Sequence, residues 1–407
     1  MTSLITEDGQ PVEIIEFGNQ NYDSGPDFSN GKVKIGNTIW AGNIEMHVYS
    51  SDWERHNHDL DKAYDNVILH VVYEHDREVH TTTEQFIPCL ELKNRISTKL
   101  KQNYARLISN NNWIPCESQL PYVPEHTVTF WLQRLVAERL ESKTEYIKSI
   151  LDQTNNDWEE TLYIVLMRYM GARVNMEPFE SLAKNLPLSI IHKNKDDLQR
   201  IEALLFGQAG MLLATRTNDK YYECLKSEYQ FLSKKYQLTN IPPVSWKFAR
   251  MRPAGFPTIR IAQMAQIFSN TEHLFSQLLD TKETNSIKHL FQATPSEYWE
   301  DHYRFGTDSI YKEKQLGDGF IDLIIINVVS PILFLYGKSI DDEQYCERAI
   351  EHLESLKPEK NKIITNYKAL GIKASSAADS QGLLQLKKAY CDPKLCLSCS
   401  IGNKLIS

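Results

Sequence analysis

The stretch GNIEMHVYSSDWERHNHDLDKAYDNVILHVV, Gly42 to Val72, sets two strand-like segments around a run of turn formers, acids and histidines. Ile39–Val48 and Val67–Tyr73 alternate or run apolar with β-branched residues, as strands do. Between them, Ser51-Asp52-Trp53 opens a stretch through Asp65 whose serine or aspartate is placed to cap a short helix. Lys32–Ile35 lies just upstream, so the local order is β-β-α-β. Val12–Phe17 adds another strand, and the N-terminal third reads as a sheet of at least four.

Beyond Trp113 the apolar period lengthens from two to three and four. Thr127–Leu151, Asp157–Gly171, Asp196–Leu213, Lys220–Tyr236 and Thr258–Phe268 all read as helices. The fold class is therefore α+β, a mixed sheet followed by a large all-helical domain. The expected boundaries are a β-rich domain over 1–109, a linker over 110–124, a helical domain over 125–370 and a C-terminal helix with a cysteine cluster over 371–407. The linker is marked by three asparagines and three prolines in Asn110–Pro124. A chain of 407 residues is longer than one core usually serves, which agrees with more than one domain.

The net charge of −8 argues against nucleic-acid binding through bulk electrostatics, so any such contact must be a local patch. Met1–Gln10 is polar and lacks the charged-then-apolar layout of a signal peptide, which points to a cytoplasmic protein. Phe320–Tyr336 is the most apolar stretch. It is short for a span and contains Asp322, Asn327 and Pro331, so it reads as a buried helix with no membrane role.

Candidate chemistry is densest between Asn19 and His70. Glu45 and His47 are two apart in a strand and share one face, while Ile44, Met46 and Val48 take the other. Asp27 precedes the neighbouring strand, and an antiparallel hairpin brings it toward Glu45. Two carboxylates and an imidazole on one face can hold Mg²⁺ or Mn²⁺ and the water it activates. Alternatively, Asp27 caps a turn after Gly25-Pro26 and Glu45 pairs with His47 or Arg55. His56, His58 and Asp59 form a possible second site, since an H-x-H pair suits Zn²⁺ or Ni²⁺.

This arrangement resembles the PD-(D/E)XK nuclease superfamily. Pro26-Asp27 matches its first acidic motif, and Glu45-Met46-His47 its second, with His47 where lysine is usual. The resemblance implies a nuclease-like sheet with Asp27 and Glu45 as metal ligands and His47 assisting water or phosphate. A histidine there lacks the fixed charge that lysine supplies.

Cys391, Cys396 and Cys399 have C-x4-C-x2-C spacing, in which thiolates can close round zinc or an iron–sulfur cluster. Only eight residues follow Cys399, so a fourth thiolate comes from upstream. Cys116, in the linker, is the first choice, and Cys346 the second. The layout resembles iron–sulfur nucleases of the RecB-like groups, which use one distant cysteine and three C-terminal ones.

Lys247, Arg250, Arg252 and Arg260, interleaved with Phe248 and Phe256, form a basic and aromatic segment without an acid. Such a patch can clamp phosphates and stack bases of DNA or RNA, or its arginines can pair with acids on neighbouring helices. Gly207 and Gly210 lie in an apolar run without phosphate-loop spacing, which favours close helix packing.

Taken together, GPDF, the Gly42–Val72 stretch, LLFGQAGML, RMRPAGFPTIRIAQMA and YCDPKLCLSCSIG resemble an uncharacterised bacterial family known as domain of unknown function 2851. That resemblance brings no activity with it. The residues themselves point to a metal-dependent nucleic-acid-processing enzyme that hydrolyses phosphodiesters. The alternative is a non-catalytic nucleic-acid-binding or assembly protein built on the same sheet.

Overall fold

The computed structural model describes residues 4–21, 23–213, 218–242 and 246–407. The chain divides into two compact units, one of Met1–Asn111 with Leu405–Ser407 and one of Asn112–Lys404. The first carries a mixed sheet and the second is largely helical.

Seven strands build the sheet: β1 Leu4–Ile5, β2 Pro11–Glu16, β3 Asn19–Gln20, β4 Phe28–Ile35, β5 Thr38–Tyr49, β6 Val67–Glu74 and β7 Cys89–Glu91. Their order is β1-β2-β4-β5-β6-β7, with β3 pairing the start of β4. Pairing is antiparallel from β1 to β5 and parallel from β5 through β7. Gly36-Asn37 turns β4 directly into β5, pairing Ile35 with Thr38. β5 and β6 run in the same direction, so no tight turn can join them and the chain must cross over. That crossover holds the short helix Asp52–Arg55 and two 3₁₀ turns, His58–Leu60 and Lys62–Tyr64.

Ile44 points into a core with Val12, Val33, Ile35, Ile68, Leu69 and Leu90. Glu45 and His47 take the opposite side, as a period of two requires. There a second cluster, Trp53, Tyr64, Val67, Val79 and Ile87, seats the crossover. Trp53 is fully buried and its indole N–H donates to the His80 carbonyl at 3.0 Å. Burying a side chain of this size stabilises by roughly 3 kcal/mol. β1, β3, β7 and the helix Thr98–Ile108 also belong to this unit, and none had been read from the sequence.

In the second unit six of the described helices start where a short acid or an Asn/Ser side chain accepts an N–H of the first turn. Asp157, Asp197, Asp219, Asp342, Asn361 and Ser376 all do so. The helix expected over Asp196–Leu213 ends at Gln208, where the chain turns through Gly210 at φ +69°. Gly207 is there for packing: a Cβ on it would lie 2.1 Å from the Tyr229 ring.

The apolar stretch is longer than its composition indicated. A continuous helical run, Asp318–Ile340, is long and apolar enough to cross a membrane, with a mean hydropathy of 2.0 over its most apolar window, yet 61% of that window is buried inside the protein. Ile321, Ile324, Ile325, Val328, Val329, Ile332 and Leu333 are fully buried in the helical core. Its middle, Ile325–Val329, is a π-turn. Lys143 reaches this turn and donates to the Ile326 carbonyl at 3.2 Å and to Asn327 Oδ1 at 2.9 Å. Burial and the nearby Arg139 push its ammonium from 10.5 down to about 7.

Between about pH 7 and 10.5 the unfolded chain therefore holds a proton at Lys143 that the folded chain releases. Stability rises with pH across that window on account of this group. Lys143→Met is expected to flatten the rise relative to wild type in urea titrations from pH 7 to 10. Parallel slopes would show that Lys143 stays charged in the fold.

Candidate metal centre

Asp27 and Glu45 meet across the β4–β5 pair. The Asp27 N–H donates to Glu45 Oε2 at 2.9 Å, and the Met46 N–H donates to Asp27 Oδ2 at 3.0 Å. Each carboxylate thus spends an oxygen on a neighbouring backbone amide. Glu45 Oε1 faces the crossover, 3.5 Å from His47 Nε2 and 3.4 Å from His58 Nε2. His47 Nε2 lies 3.1 Å from His56 Nδ1. The ligand atoms of His47, His56 and His58 all lie within 4.8 Å of one another.

The crossover delivers both histidines because Asn57, between them, is left-handed at φ +61°. Asparagine tolerates that conformation and β-branched residues do not. The reversal turns His58 under Tyr64, on which it stacks at 3.7 Å between centroids, while His56 stays exposed. The structure therefore joins what the sequence had separated: His56 and His58 sit with His47 and Glu45, and Asp59 lies outside the trio.

A residue without an assigned role in the sequence reading completes the arrangement. His70 pairs with Glu45 in the β5–β6 register, is fully buried, and places Nε2 2.8 Å from His47 Nδ1. If Nε2 of His47 is to offer a lone pair, its Nδ1 must carry the proton and donate it to His70. His70 was visible in the chain as one more strand histidine; only the parallel register reveals its neighbour.

Burial dominates the electrostatics. It pushes the Glu45 carboxyl up to about 7, opposed by the Asp27 N–H and assisted by the Asp27 charge. It pushes His47 down to about 4 and His70 down to about 3, with neighbouring imidazoles adding to the effect. His58 moves down for the same reasons. The imidazoles are thus neutral near pH 7, the state in which they bind metals. A tetrahedral ion at 2.0–2.1 Å holds its ligand atoms about 3.3–3.4 Å apart, close to the three separations measured around His47 and Glu45.

The other sequence candidates lie in the helical unit. Arg260 turns inward, 3.7 Å above the Phe320 ring, with one N–H donated to Gln263. Burial lowers it to about 10. Lys247, Arg250 and Arg252 are exposed, and among the described residues no ion pair engages them. The Arg304 guanidinium lies over the Phe248 and Phe256 rings of the same segment. Burial raises the Cys116 thiol, and Cys391, Cys399 and Cys396 lie near enough to add to the effect, while Cys346 donates to the Phe334 carbonyl.

Fold and site together define an α+β protein with a histidine-rich candidate metal centre on a mixed sheet. A family model described as "Protein of unknown function (DUF2851)" matches residues 1–362, and the chain belongs to that family. No curated protein and no solved structure matches it.

Because the turn between His56 and His58 depends on a left-handed residue, Asn57→Val is expected to cost about 1–2 kcal/mol. Asn57→Gly should be tolerated. Guanidinium melts of the two variants check this, and equal midpoints would remove the claim that φ at this position shapes the crossover.

Proposed function

We propose that the sheet-bearing unit is a metal-dependent phosphodiesterase acting on nucleic acid, with a transition-metal ion held by His47, His56 and His58 and with Glu45 beside them as the base. The observation that carries this reading is the convergence of three imidazoles and one carboxylate at ligand-like separations. A nitrogen-rich donor set suits zinc, nickel or iron better than magnesium. In this reading Asp27 positions Glu45 instead of binding the ion.

The ion would supply a hydroxide at neutral pH by lowering the pKa of its water to about 7. Glu45 Oε1, with its carboxyl held near 7, is placed to take a proton from that water. Asp27 fixes the carboxylate through its N–H, and His70 fixes the tautomer and plane of His47. The β4–β5 hairpin with Asp27 at its start and Glu45 on its second strand, followed by the crossover and β6, supports the nuclease-like order, with His47 in the place of lysine. The exposed Lys247, Arg250 and Arg252 support a polyanionic partner such as DNA or RNA.

One observation favours a non-catalytic binding protein: Asp27 and Glu45 each give an oxygen to a backbone amide, which makes them a latch between β4 and β5. Cleavage of labelled single- and double-stranded DNA and RNA with Zn²⁺, Mn²⁺, Ni²⁺ or Mg²⁺ decides between the two. The expected result is cleavage that needs a transition ion and falls about 10²–10⁴-fold in Glu45→Gln with binding retained. Binding without cleavage under every ion would establish the second reading.

His70 offers a separate check. In competition titrations with a zinc indicator, His70→Leu is expected to weaken binding about 10–100-fold, and His70→Gln, which keeps an acceptor, to restore part of it. Equal affinity in all three proteins would free His47 of any dependence on His70.

A further inference from the structure

Four of the seven cysteines gather within the helical unit. Cys116, Cys396 and Cys399 are buried and Cys391 is half-buried; none is in a disulfide. They come from two distant pieces of chain, the turn at Cys116 and the segment from Cys391 to Cys399. Cys116 sits in a compact turn whose carbonyl accepts the N–H groups of Gln119 and Leu120. Cys391 ends a helix that begins with a capping box at Ser376 and Asp379 and widens into a π-turn over Leu386–Cys391. Cys399 immediately precedes the helix Ser400–Ile406, with the backbone N–H groups of Ile401 and Gly402 near enough to oppose the rise that burial imposes on its thiol.

The walls of this pocket are aromatic. The Tyr367 hydroxyl lies 3.5 Å from Cys391 Sγ, and its ring packs edge-on to Trp113 at 4.8 Å. Trp131 packs edge-on to Tyr390 at 5.2 Å on the Cys399 side. Gly402 passes so close to Cys396 that a Cβ would lie 2.1 Å from its carbonyl oxygen, so the chain around two of the thiols is drawn as tight as it can be. Sulfurs screened from water and set beside backbone N–H groups are the surroundings in which thiolates bound to metal are found.

The spacing distinguishes one ion from a cluster. Zinc bound by four thiolates at about 2.3 Å holds the sulfurs about 3.8 Å apart. The histidine trio brings its ligand atoms within 4.8 Å of one another; among the described residues no trio of thiols is that tight. That spacing favours a polynuclear group in which each iron takes one thiolate over a single tetrahedral ion.

We infer that Cys116, Cys391, Cys396 and Cys399 form the ligand cage of a [4Fe–4S] cluster. The C-x4-C-x2-C spacing supplies three ligands from one short segment and Cys116 the fourth, and the thiol protons leave as the iron binds. The cage lies within the helical unit and does not depend on the histidine centre.

The test is the composition of the full chain isolated without oxygen. About four irons and about four acid-labile sulfides per chain are expected, with a broad visible absorption that bleaches on dithionite addition. Cys396→Ser and Cys391→Ser should lose most of the iron and sulfide, and Cys224→Ser, at an exposed cysteine outside the cage, should lose none. One zinc per chain with no sulfide would overturn the inference, as would wild type isolated without iron. Full iron content in Cys396→Ser would overturn the ligand assignment. If the cage variants fail to fold, the iron, sulfide and absorption of wild type still decide the matter.

Discussion

Parallel pairing of β5 with β6 is the constraint on which the sheet unit depends. Two strands that run the same way cannot be joined by a hairpin, so the chain between Tyr49 and Val67 has to travel back over one face of the sheet. The face it covers is the one bearing Glu45 and His47. The same pairing sets His70 beside Glu45 in register. A slip of one residue would turn Glu45 and His47 into the apolar core and expose Ile44, which is why the register is firmly fixed.

The cost of that arrangement is electrostatic. Glu45 and His70 are removed from water, and His70 Nδ1 has no hydrogen-bond partner among the described residues. A buried polar atom left unmatched costs about 1–3 kcal/mol. Trp53 and Tyr64 provide the compensation, since the apolar seat under the crossover is what keeps the imidazoles dry. The polar group of side chains is thus held by the hydrophobic one rather than by its own contacts.

The sequence disclosed the elements whose period is long enough to count. β4, β5 and β6 alternate over many residues, and the long helices repeat at three and four. β1, β3 and β7, of two or three residues each, carry no period at all. The shared face of Glu45 and His47 was legible because a strand alternates strictly. His56 and His58 were not legible as their neighbours, because a single left-handed asparagine redirects the chain and no pattern announces it. His70 escaped for a different reason: strand direction in a pair is decided by the whole sheet, not by either strand. The arginines near residue 250 looked alike in the sequence, yet Arg260 lies inside a helix and packs on an aromatic ring while the others face water.

The gathering of Cys116 with Cys391 joins two points that lie near opposite ends of the helical unit's sequence. Contacts of such separation pay their chain-closure entropy before they return any energy. The thiols stay open to solvent until the helices between them have packed. Their reactivity toward an alkylating reagent therefore follows the maturation of this unit, and a chain arrested partway is marked by sulfur that can still be modified.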